Sequence, residues 1–156
     1  MNLSNETPTN DQHLVVSKIA EVTAVFWLLK IVATTLGETA GDFISQTMNM
    51  GYVTGLAITG SLLLVLVSVQ IRAKRYHPIA FWAAIVGTTT AGTEISDMMD
   101  RTLGLGYTTG SLILFGGLLA TLAIWRHREG HLRVTPIKSG GTELLFWVAG
   151  LFSNSL

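Results

Sequence analysis

The chain repeats itself. Shifted by 55 residues, FWLLKIVATTLGETAGDFISQTMNMGYVTG (26–55) lies over FWAAIVGTTTAGTEISDMMDRTLGLGYTTG (81–110) without a gap. Eleven of the 30 positions are identical, where residues paired at ordinary frequencies would give roughly two. The matches run from Phe26/Phe81 and Trp27/Trp82 through Thr34/Thr89, Thr35/Thr90, Gly37/Gly92 and Asp42/Asp97 to Gly55/Gly110. A repeat of this length is one supersecondary unit, so whatever the first copy folds into, the second must fold into as well.

The solvent for that unit is read from composition. Charged residues make up 13% of the chain and hydrophobic ones 49%, against about 25% charged in a soluble domain, and the mean hydropathy is +0.48. Lipid is the solvent this implies. Four apolar segments, 22–47, 53–71, 79–99 and 108–125, each come near the roughly 20 residues that carry a helix across hydrocarbon. Each repeat thus reads as a hairpin of two spans. A unit that crosses twice brings the next copy in from the same side, giving a parallel repeat. The expected fold is all-α: a polytopic transmembrane bundle of tandem two-helix hairpins.

Charge sets its orientation. Arg72, Lys74 and Arg75 follow the second segment, and Arg126, Arg128, Arg133 and Lys138 follow the fourth. The intervening turns, 49–51 and 103–106, carry no basic residue, although Arg101 precedes the second. The positive-inside rule places the amino terminus and both basic loops in the cytoplasm. The division is then a polar tail (1–18), hairpin repeats at 19–72 and 73–128, and a basic loop with the start of a third copy (129–156). The tail lacks the basic-then-apolar order of a secretory signal.

In that third copy Phe146 and Trp147 align with Phe26 and Trp27, and Asn154, Ser155 and Leu156 with Thr34, Thr35 and Leu36. The 14 residues from Glu143 cover about 21 Å, short of a roughly 30 Å hydrocarbon core. The copy stops one residue before the repeat's glycine, so a longer parent is expected. Phe146 and Trp147 are expected to bury poorly without it, and a chain extended through the full hairpin to be the more stable.

The acids inside these segments carry the chemistry. Thr34, Glu38 and Asp42 share one helix face at i, i+4, i+8; Thr90, Glu94, Asp97 and Arg101 share another at i, i+4, i+7, i+11. Ionised carboxylates in lipid cost at least a few kcal/mol, so they should face the bundle interior or a wet cavity. Three readings stay open. In the first, Glu38, Asp42, Glu94 and Asp97 form a cation site, with Thr34, Thr35, Thr89, Thr90 and Asp100 as lining, because hard oxygen ligands suit Mg²⁺, Ca²⁺ or Mn²⁺; such carboxylates also relay protons. In the second the acids pair structurally with Lys30 and Arg101. In the third some lie outside the hydrocarbon.

Other chemistries are excluded or disfavoured. With no cysteine, disulfides, thiolate metal sites and thiol nucleophiles are impossible. Thr39, Ala40, Gly41 and Asp42 lack the first glycine of the Gly-x-Gly-Asp motif of intramembrane aspartyl proteases, and no Ser/His or HExxH arrangement occurs. All four histidines, His13, His77, His127 and His131, fall in the tail or basic loops and read as surface residues. No enzymatic activity, cofactor or nucleic-acid partner is expected. Gly37 and Gly41 form a small-xxx-small pattern for close helix approach, Gly51, Gly104 and Gly106 fit tight reversals, and Trp27, Trp82, Trp125 and Trp147 fit an aromatic belt.

The FW…TTLGETAGD…GYVTG and FW…TTTAG…SD…LGLGYTTG elements resemble a family of bacterial multi-pass inner-membrane proteins. Members are usually labelled membrane-anchored, some with a regulatory link to amylopullulanase. The resemblance covers about residues 19–156 and implies a bacterial inner-membrane location but no activity. Two functions follow as expectations: a transporter of a divalent metal or a proton-coupled cation, or a non-catalytic assembly or regulatory subunit whose carboxylates are structural. The expected partners are the lipid bilayer and a second copy of the chain. A reporter fused at Lys138 should read out on the cytoplasmic side, and an external signal there would overturn the topology.

Overall fold

A computed structural model of the chain describes residues 22–73, 76–132 and 139–156. The tail with His13, and the loop residues Lys74, Arg75, Arg133 and Lys138, lie outside the described residues. Within them the fold is helical: α1 (Ala24–Asp42), α2 (Tyr52–Arg72), α3 (Pro78–Asp97), α4 (Gly106–Glu129) and α5 (Gly140–Ser155). Two of these, α2 and α4, are long and apolar enough to cross a membrane, at mean hydropathies of 2.1 and 1.6. Helices α1 and α3 carry Lys30, Glu38, Asp42, Glu94 and Asp97, which lowers their hydropathy, and α5 is 16 residues long.

Helix ends follow from local chemistry. Thr23 caps α1 by accepting from the Phe26 amide, Ser139 caps α5 by accepting from Thr142, and His77 Nδ1 accepts from Ala80 ahead of Pro78 at the start of α3. His77 is thus a cap. At their far ends α1 and α3 both relax into π-helical turns, Phe43–Thr47 and Met98–Thr102. These are repeat-equivalent, and so are the bonds that close them: Met48 N to Phe43 O and Leu103 N to Met98 O, each 2.9 Å. The reversals then use positive φ at Asn49 and Gly51 in one copy and at Gly104 and Gly106 in the other, a region open to glycine and tolerated by asparagine.

Packing is between repeats. Phe26 meets Trp82 at 5.5 Å near the start of α1 and α3, and Gly37 meets Thr89 and Val86 further along, so these helices run parallel. Phe81 meets Trp147 at 5.6 Å and Gly92 meets Asn154, so α3 and α5 run parallel too. Helix α2 packs antiparallel on α3 through Gly55 against Glu94 and through Leu63 and Leu66 against Gly87. Helix α4 packs likewise on α5, with Gly117 against Phe152 and Glu129 bonded to Thr142. The second helix of each copy therefore leans on the first helix of the next. Central α3 touches α1, α2 and α5.

Two expectations are corrected here. Trp147 is 3% exposed: the start of the third copy is core, because it fills against α3 the place that α3 fills against α1. Trp125 is equally buried, so it and Trp147 pack the interior, while Trp27 is exposed and fits a belt.

The close approach depends on glycine. A Cβ on Gly37 would lie 2.7 Å from Thr89 Cβ and 2.9 Å from Val86 O, and one on Gly92 would lie 3.0 Å from the Asn154 carbonyl. Gly116 in α4 has nothing within 4 Å. Gly37→Ala should therefore destabilise by about 1–3 kcal/mol through overpacking, whereas Gly116→Ala should be neutral or stabilising by up to about 1 kcal/mol. Thermal unfolding in detergent checks the contrast.

Candidate functional site

The parallel arrangement of α1, α3 and α5 leaves a polar cleft of about 300 Å³ at their far ends. Glu38, Asp42 and Gln46 line it from α1 and its π turn. Thr93, Ser96, Asp97 and Arg101 line it from α3 and its π turn, and Asn154, Ser155 and Leu156 from α5. Three of the four acids singled out from the sequence thus meet in one space.

Glu94 does not join them. Helical phase explains this: the repeat aligns Glu38 with Thr93 and Thr39 with Glu94, a one-residue offset that turns the glutamate by about 100°. Thr93 accordingly lines the cleft beside Glu38, while Glu94 points at α2. It is fully buried, its carboxyl bonded to the Thr59 hydroxyl and set against Gly55, with Oε1 lacking a hydrogen-bond partner. A side chain at Gly55 would displace it.

The threonines take other roles. Thr34 returns its hydroxyl to Lys30 O and Ile31 O at 2.9 Å, and exposed Thr35 accepts from Thr39 through its carbonyl. Thr89 and Thr90 are buried and bond back to Ile85 O and Val86 O. These intrahelical bonds satisfy the hydroxyls of Thr34, Thr89 and Thr90. None of the four lines the cleft, nor does Asp100.

Within the cleft the acids differ. Asp42 accepts from Gln46 Nε2 at 2.5 Å one turn on. Asp97 faces Arg101 Nε at 3.7 Å, and the Arg101 guanidinium sits 5.9 Å above the Tyr52 ring. Arg101 is cationic at any accessible pH, and the Asp97 carboxylate lies beside it. With three acids against one base the cleft is acidic. Among the described residues, no group of three His, Asp or Glu side chains closes into a metal cage.

Lys30 is paired with neither acid. Its ammonium donates to Asn154 Oδ1 at 3.1 Å, and Asn154 Nδ2 donates to Thr88 Oγ1 at 3.1 Å. Asn154 therefore ties α1, α3 and α5 together at the inner end of the cleft. Sequence reasoning passed over Gln46, Thr93, Ser96, Asn154 and Ser155. Thr93 was legible as the repeat partner of Glu38; the α5 residues were not, because the packing of the third copy was needed to bring them in. A second crevice, apolar and of about 460 Å³, lies between α1, α2 and α3 beside Thr59 and Thr90.

Neither curated proteins nor solved structures give a match to the chain. A family description does, over residues 25–76 and again over 80–131, two copies in the same 55-residue register that the sequence shows against itself. On these two matches, which cover most of the chain, the protein belongs to the family described as Repeat of Unknown Function (DUF347).

Proposed function

We propose that the chain is a multi-pass protein of a bacterial inner membrane, built of tandem two-helix hairpins, that binds a divalent cation in the Glu38–Asp42–Asp97 cleft and passes it across the bilayer. The observation that carries this reading is the meeting of those three carboxylates in one polar cleft of an otherwise apolar chain. Hard oxygen ligands favour Mg²⁺, Ca²⁺ or Mn²⁺.

Exposed apolar faces support the membrane setting. Leu62, Leu64, Val65 and Val69 of α2, and Leu112, Ile113, Phe115 and Leu119 of α4, are all solvent-accessible, a pattern suited to hydrocarbon. With the basic loops cytoplasmic, the cleft lies towards the opposite side, near the π turns. Interrupted helices at such depth are tolerated where they line a cavity.

One observation favours the rival, an assembly or regulatory subunit: Asp97 already meets Arg101, and Asp42 already meets Gln46. The two readings separate on titration of the purified protein with Mn²⁺. Transport predicts saturable binding, weakened about tenfold or more by Glu38→Gln or Asp42→Asn as ligand charge is removed, with thermal stability kept. Absent binding, or variants that only lower the melting temperature, would favour the structural role.

A further inference from the structure

The cleft has an inner end, and a fixed positive charge stands there. Lys30 lies on α1 eight residues before Glu38, about 12 Å inward along the helix axis. Its ammonium group does not pair with Glu38 or Asp42 but donates to Asn154 Oδ1, and Asn154 itself lines the cleft. Thr88 holds the other end of the Asn154 amide. The side chain of Asn154 is thus fixed at both ends, and through it so is Lys30. Beyond this layer, Phe26, Trp82, Phe81 and Trp147 stack in a continuous aromatic cluster. Moving inward, a cation would pass from three carboxylates to an ammonium and then to aromatic packing.

We propose that Lys30 closes the inner end of the cleft: tethered by Asn154, its ammonium repels a cation that moves inward from Glu38, Asp42 and Asp97, and passage requires the tether to break. The proposal rests on cation binding in the cleft and adds to it the residue that governs release. Like-charge repulsion across a poorly solvated interior is substantial, and an intramembrane lysine with an amide partner in place of an acid is otherwise hard to account for. The tether also gives Asn154 a use beyond packing. It holds Lys30 back from the acids, which a free lysine would seek and neutralise.

The check is Mn²⁺ titration of the full chain in nanodiscs, together with Mn²⁺ uptake into proteoliposomes, for the wild type, Lys30→Met and Lys30→Arg. Lys30→Met should bind Mn²⁺ roughly tenfold more tightly, since one repelling charge is gone, and should speed uptake. Lys30→Arg keeps the charge and should stay close to the wild type in both. A merely structural lysine would give weaker binding or a lower melting temperature on loss, never a gain. A folded Lys30→Met that binds and carries Mn²⁺ as the wild type does overturns the gate while leaving the cleft reading intact. A wild type that binds no Mn²⁺ overturns both.

Discussion

Two glycine contacts set the geometry on which everything else rests. Gly37 of α1 receives Thr89 of α3, and Gly92 of α3 receives Asn154 of α5. By repeat register these are one contact made twice, since Thr89 and Asn154 both align with Thr34. Helices come closest where small residues let their backbones approach. A glycine at each crossing permits that approach. It also fixes the register of the three parallel helices, and with it which polar residues end up side by side.

From that register the polar chemistry follows. Residues one position outward from the glycine, Glu38 and Thr93, face the same space, as do Asp42 and Asp97 one turn later. Glu94, one further position round the helix, is carried away to α2, where Gly55 makes room and Thr59 supplies a hydroxyl. A carboxyl buried there cannot act in the cleft. It ties α2 to α3 through the Thr59 hydroxyl.

The π turns Phe43–Thr47 and Met98–Thr102 begin at the residue after each repeated aspartate. A π turn widens the helix and leaves its backbone less regularly bonded, and such turns concentrate at functional sites. Gln46 and Arg101 lie in these turns four residues on from the aspartates, so that each aspartate has a partner on its own helix. The cleft is therefore assembled from sequence-local pairs, Asp42 with Gln46 and Asp97 with Arg101, brought together by the glycine crossings.

Much of this was legible beforehand. The 55-residue repeat, the helices to within a few residues, the reversals at Gly51, Gly104 and Gly106, and the close-packing use of Gly37 and Gly41 all followed from periodicity and residue type. Tertiary structure decided what local rules cannot reach. Spacing placed Thr90, Glu94 and Asp97 on one face, but a helical face is wide, and only the positions of α1 and α2 determine which part of it meets the cleft and which part is buried. The choice of partners for each second helix, the burial of Trp125 and Trp147, and the use of Asn154 to hold Lys30 likewise depend on contacts between repeats. Those contacts join residues up to 124 positions apart, and no spacing within a single helix encodes them.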